Sequence, residues 1–260
     1  MLRYIAKYNI HLGLAAAISG LSYCVLLNSF INYQLLMLLC SIQFLTTVAA
    51  YNYLRIRNKL TWQVPLIVIF LVSFYFDFYF QVALLSVGAL TFFYQLPLKI
   101  KLGFRFFPFL KPFIIGFCWA CIIVLLTNLS DTNGVNSLNV TWAIFVIKFL
   151  EISALSIAND LLHIPKDKMN GVKTFPIAYG LWVSKLSIVV IASLQLIIAF
   201  VASKQTEIST GFALSSAVSF ALIMLSVLLI HFKKNKGVEL LLDVIIGIEA
   251  LLLLAFSVLY

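Results

Sequence analysis

Three residues capable of chemistry stand at one end of an apolar run. Asp160, His163 and Asp167 are spaced i, i+3 and i+7, which places them on one face of an α-helix. Pro165 lies between them and can end such a helix, leaving Asp167 on the loop that follows. Acidic side chains at a membrane end, aimed at a cavity, are candidates for function. Two carboxylates and an imidazole could hold Mg²⁺, a hard cation that uses few protein ligands and completes its shell with water and substrate phosphates. The same residues also read as the solvated charges of an ordinary loop, and spacing alone leaves both readings open.

The elements that would position them are set by composition. The chain has 260 residues, 63% hydrophobic and only 10% charged, whereas a soluble domain carries about 25% charged residues. This excludes an ordinary globular protein, a disordered chain and a secreted disulfide scaffold. Apolar runs fall near 10–30, 34–54, 62–76, 78–95, 108–127, 139–162, 181–203, 209–231 and 238–259. At ~20 residues per crossing, nine helices leave room only for short loops, in a single domain over 1–260. The third and fourth runs are divided at Asp77 by Phe74, Tyr75, Phe76, Phe78, Tyr79 and Phe80, as expected of an interfacial turn. One long tilted helix is the alternative there. Arg3 and Lys7 ahead of an apolar run resemble a signal peptide, but bulky Tyr23 spoils a cleavage site, so the run reads as a retained first helix.

Loop charges give an independent count. Net charge is +9, yet the basic residues sit between apolar runs, where topology accounts for them, and nucleic acid is not an expected partner. Arg3 and Lys7, then Arg55, Arg57 and Lys59, then Lys99, Lys101, Arg105 and Lys111, then Lys166, Lys168 and Lys173, then Lys233, Lys234 and Lys236 mark every second connection. The alternate connections hold Asp77, Asp131 and Glu207, with Lys204 the one dissenting cation. This positive-inside alternation predicts a cytoplasmic N-terminus and an external C-terminus, in an integral multi-pass protein of a bacterial plasma membrane. The four cysteines, including Cys118 and Cys121 as a CxxC, lie in apolar runs and read as small hydrophobes. Lys148 and Glu151 are spaced to pair, whereas Asp243 and Glu249 have no partner nearby in sequence. Glu239 and Asp243 read as neutralising the basic loop beside them, and His11 and His231 suggest no chemistry.

The stretch Asp160 to Pro176, read D-x-x-H-x-x-x-D-x-x-x-G-x-K-T-x-P, resembles the second signature of the UbiA superfamily of intramembrane prenyltransferases. The match falls on Asp160, Asp167, Gly171, Lys173, Thr174 and Pro176, with His163 in place of an aspartate. Tyr94-Gln95-Leu96-Pro97-Leu98-Lys99 resembles the family's Y-S-x-P-x-[KR] element, and Lys111 stands where the family has a further basic residue. The resemblance implies a nine-helix bundle and transfer of a prenyl chain from a diphosphate to a lipophilic, often aromatic, acceptor. It further implies Mg²⁺ as cofactor, Asp160 and Asp167 as metal ligands, and Asp160, Asp167 and His163 as catalytic residues. Tyr94, Lys99, Lys111 and Lys173 would contact the diphosphate.

The family's first signature, N-D-x-x-D-x-x-x-D, is altered. Asn52, Arg55 and Lys59 keep the i, i+3, i+7 spacing, but the carboxylates are gone. Two cations there exclude a dication by repulsion. Three readings stay open: direct diphosphate binding by Asn52, Arg55 and Lys59, pairing of Arg55 and Lys59 with Asp160 and Asp167, or simple positive-inside charge. The alternatives to an enzyme are an inactive relative that binds isoprenoid or anionic lipid, and a small transporter using Glu249 and Lys148.

Overall fold

The computed structural model describes residues 9–26, 33–55, 60–94, 103–104, 107–129, 138–205, 210–232 and 236–259. Among these there is no strand, and nine helices carry the apolar runs. They are α1 (Ile10–Leu26), α2 (Tyr33–Arg55), α3 (Leu60–Ser73), α4 (Phe78–Tyr94), α5 (Leu110–Leu129), α6 (Leu138–Met169), α7 (Leu181–Gln205), α8 (Thr210–Phe232) and α9 (Lys236–Leu259). A one-turn helix, Phe175–Tyr179, follows α6. Five of them, α2, α5, α6, α7 and α8, are long and apolar enough to cross a membrane. Helices α1, α3 and α4 are shorter; the 14 residues of α3 reach about 21 Å at helical rise.

The helices follow one another around a ring, with little contact between α3 and α4. Each packs on its chain neighbour from α1 to α3 and from α4 to α9, and α9 closes against α1. Without a hydrophobic drive between helices in lipid, close approach relies on small residues. A Cβ at Gly116 would fall 2.6 Å from the Phe149 carbonyl oxygen, so the α5–α6 contact requires glycine there. The outer surface is apolar: Trp182, Leu186, Val190 and Ile197 of α7 are all exposed.

The break between α3 and α4 has a local cause. Asp77 caps α4, accepting the Phe80 N–H at 2.9 Å. The Gln81 amide donates to the carbonyls of Ser73, the last residue of α3, and of Phe76 in the turn. Two helices with an interfacial turn, rather than one tilted helix, occupy this region.

Helix α5 carries a π-turn at Cys121–Leu125, where the Leu126 N–H reaches back to the Cys121 carbonyl. Gln43 of α2, fully buried, donates to the Ile122 carbonyl at 3.0 Å and to Thr127 Oγ1 at 3.1 Å. Gly20 of α1 makes room for that amide, since a Cβ there would lie 1.8 Å from Gln43 Oε1. Helices α1, α2 and α5 therefore meet at the π-turn.

Candidate active site

Helix α6 stays helical through Pro165 to Met169, so Asp167 is on the helix and not on a loop. The end of α6 is set by Gly171, at φ +64°. The Val172 N–H bonds the Asp167 carbonyl at 2.9 Å and the Gly171 N–H bonds that of Lys168 at 3.2 Å, the Schellman pattern that favours glycine after a helix. Thr174 is extended, and Pro176 falls in the first turn of Phe175–Tyr179, where its missing N–H costs nothing. The glycine and proline of the motif thus shape the chain. Its Lys173 is exposed.

Asp160 and Asp167 are buried, and His163 between them is half-buried. The first turn of α5, anchored by the Lys111 N–H on the Phe107 carbonyl, brings Lys111 onto Asp160. The ammonium donates to Asp160 Oδ1, with the two side chains 12% and 7% exposed. Asp160 Oδ2 is buried and has no hydrogen-bond partner among the described residues. A buried pair of this kind still has two ammonium donors and one carboxylate oxygen available to a ligand.

This pair lies on a cavity of about 530 Å³. Along α6 the lining residues run Ile152, Leu155, Ser156, Asn159, Asp160, His163, Lys166, Asp167 and Asn170. From Ile152 to Asp167 that is one face of the helix, about 22 Å long, apolar at one end and ionic at the other, with Asn170 just past the helix end. Helix α5 presents Lys111, Ile114, Ile115, Cys118, Trp119 and Ile122 with the same gradient. Tyr51 of α2 and Tyr94 of α4 add aromatic wall, and the Tyr51 ring stands edge-on to Trp119 at 6.3 Å.

Of the residues singled out from sequence, Asp160, His163, Asp167, Lys111 and Tyr94 share this cavity. Asn52 and Lys173 are not among its lining residues. Asn52 is buried elsewhere, accepting from the Asn9 amide at 2.9 Å and donating to the Thr61 carbonyl at 3.2 Å. Lys59 and Lys99 lie outside the described residues, as does the Arg55 side chain. Sequence reasoning missed Tyr51, Trp119, Ser156 and Asn159. The signal existed for the last two, which continue the Asp160 face at helical spacing.

A second ionic cluster lies away from the cavity lining. Lys148 donates to Glu151 at 2.5 Å and to Glu249 of α9, while Ser219 of α8 donates to Glu151. All four side chains are buried, and the Lys148 ammonium lies 5.8 Å from the Tyr23 ring centre. The pairing expected of Lys148 and Glu151 is present, and Glu249 finds in space the partner it lacks in sequence.

No protein-family model and no curated protein matches the sequence. Among solved structures, one described as digeranylgeranylglyceryl phosphate synthase in membranes is similar over 98% of this chain and 100% of its own, with a TM-score of 0.66 and 17% identity. The ring of helices, the apolar runs and this likeness together identify an all-helical, integral, multi-pass membrane protein with the UbiA-type fold.

Proposed function

We propose that this chain is a UbiA-type prenyltransferase, a single domain that transfers a prenyl chain from its diphosphate to a lipophilic acceptor. The supporting observation is one cavity with an ionic end at Lys111, Asp160, His163, Lys166 and Asp167 and a mainly apolar stretch at Ile114, Ile115, Ile122, Ile152 and Leu155. A prenyl diphosphate has the same division. Its volume is in the range that encloses one small ligand, ~300–1,000 Å³, so the donor tail takes the depth and the acceptor approaches from the ionic rim. The alternating loop charges support a cytoplasmic rim.

The donor's C–O bond breaks as its electron pair leaves with diphosphate. Lys111 donates to the departing oxygens with the ammonium protons that Asp160 does not use, and Lys166 adds positive charge at the same end. The π-faces of Tyr51, Tyr94 and Trp119 favour the allylic cation left behind, and the surrounding apolar wall keeps water from it. Arg55, Lys59, Lys99 and Lys173 are further candidates for diphosphate contact as it enters.

The residues present fit a Mg²⁺ that arrives with the diphosphate, because Asp160 keeps one buried oxygen unpartnered. Asp167 lies about 10 Å further along the helix, so each carboxylate would offer one ligand, with the rest from water and phosphate. When bound, the ion would neutralise charge on the leaving group.

The test is thermal stabilisation of the detergent-purified protein by geranylgeranyl diphosphate, with Mg²⁺ and with EDTA. A ligand at a hundredfold excess over its Kd raises stability by about 2.7 kcal/mol. Stabilisation that is lost in Lys111→Met supports the reading. No shift in either condition, with shorter or longer prenyl chains, overturns it. The occupation of Asp160 by Lys111 favours the second reading, an inactive relative that binds isoprenoid, which predicts stabilisation without turnover.

A further inference from the structure

His11 stands in the first turn of α1 and Asp243 in the second turn of α9. The fold brings them together with Nε2 and Oδ2 3.4 Å apart, and the side chains are 20% and 22% exposed. Asp243 lines the same cavity as Lys111 and Asp160, on a wall it shares with Leu12, Leu242 and Ile246. Prenyl transfer as described above leaves this pair without a task. The buried His11 Nδ1 has no hydrogen-bond partner among the described residues, so the contact with Asp243 orients the ring. A carboxylate steadied by an imidazole, in the same cavity but on a different wall from the diphosphate contacts, has the arrangement of a general base.

We propose that Asp243 accepts the proton that the prenyl acceptor gives up, and that the acceptor's nucleophile is a hydroxyl, alcoholic or phenolic, seated on the α1/α9 wall. This rests on the prenyl-transfer reading. The acceptor O–H donates a hydrogen bond to the Asp243 carboxylate before reaction, which turns an oxygen lone pair toward the allylic carbon; a ring C–H cannot be oriented this way. The new C–O bond forms from that lone pair, the old C–O bond leaves its electrons on diphosphate, and the hydroxyl proton passes to Asp243. Asp160 is less suited to the task because Lys111 already holds one of its oxygens. His11 is a positioning residue: with its proton on Nε2 it donates to Asp243 and keeps the carboxylate aimed at the cavity. The apolar flanks Leu12, Leu242 and Ile246 suit a lipophilic body attached to the hydroxyl.

The experiment supplies geranylgeranyl diphosphate with either 1-O-octadecylglycerol or α-naphthol, and measures donor-induced thermal stabilisation and prenyl product separately. Wild type is expected to bind the donor and form an O-prenyl ether. Asp243→Asn is expected to keep the donor-induced stabilisation, which shows that it folds, and to lose about 10²–10⁴-fold in product formation. Asp243→Glu should recover part of the rate, and His11→Gln should lose less than Asp243→Asn. A structural tie between α1 and α9 would instead lower the melting temperature of the unliganded variants without separating binding from turnover. Asp243→Asn turning over at the wild-type rate overturns the assignment, as does a product prenylated on carbon, or a wild type that binds donor but prenylates neither acceptor. Absence of donor binding in wild type defeats the prenyl-transfer reading itself, which distinguishes that failure from this one.

Discussion

Asp160 is held by Lys111 on one oxygen and is open on the other, and this makes the pair separable by mutation. Lys111→Met keeps the aliphatic stem but strands a buried carboxylate. Breaking a buried pair from one side typically costs about 3–5 kcal/mol, and removing both charges costs far less. Lys111→Met is therefore expected to lower the melting temperature in detergent, and Lys111→Met with Asp160→Asn to recover most of the loss. A double variant as unstable as the single one would mean the pair is not what holds this end of α5 on α6. Both should lose donor-induced stabilisation, because that depends on the charges themselves. At this scale the sequence was informative where chemistry recurs at helical spacing, as for Asp160, His163 and Asp167. It pointed Asn52 toward diphosphate, whereas its amide is taken up by Asn9 and the Thr61 carbonyl, a contact that exists only after α1, α2 and α3 have packed. His11 and Asp243 are 232 positions apart, and no local pattern could have joined them.

The helices position these residues through irregularities more than through their regular turns. The π-turn in α5 is one: a single extra residue in the ladder rotates the segments on either side by about 100° relative to regular helix. Lys111, Cys118 and Trp119 precede it and line the cavity, while Thr127 follows and meets Gln43, so the turn sets how these two halves are rotated against each other. Gln43 stabilises it by supplying the Ile122 carbonyl with a donor. Gln43→Leu, nearly isosteric, leaves that buried carbonyl unsatisfied, a loss of about 1–3 kcal/mol. The expected outcome is a lower melting temperature together with weaker donor stabilisation, since Ile122 lines the cavity. Unchanged values for both would show that the π-turn holds without its side-chain donor. Apolar periodicity predicts α5 but cannot reveal the π-turn, because Cys121 to Leu125 is uniformly apolar and a one-residue register shift leaves no mark in such a run. The α3–α4 break was legible, since Asp77 is a charged capping residue inside an aromatic stretch.

For the whole molecule, two ionic features at different depths do different work. The Lys148 cluster ties α6 to α9 directly and to α8 through Ser219 and Glu151, fastening the last two helices to the rest of the ring. Lys148→Met leaves two buried carboxylates without their cation and is expected to cost at least about 3–5 kcal/mol. Lys148→Met with Glu151→Gln and Glu249→Gln should restore much of that, as read by thermal unfolding; no recovery would mean the charges are not the reason for the loss. The cavity's ionic rim, by contrast, is built from the ends of α2, α4 and α6 and the beginnings of α1, α5 and α9, all at one face of the ring if the chain alternates direction at each crossing. That alternation was the clearest property of the sequence, because the cost of moving Lys and Arg across a bilayer writes topology directly into loop composition. It makes a prediction for cells. With the four native cysteines replaced by alanine, Met169→Cys at the rim and Tyr75→Cys at the α3–α4 turn should report opposite faces; both native side chains are exposed. A membrane-impermeant maleimide should label Tyr75→Cys on intact cells and Met169→Cys only after the membrane is opened. Labelling in the reverse order would turn the site outward, away from any cytoplasmic supply of prenyl diphosphate. Labelling of both from one side would break the alternation on which the shared rim of Lys111, Asp160 and Asp243 depends.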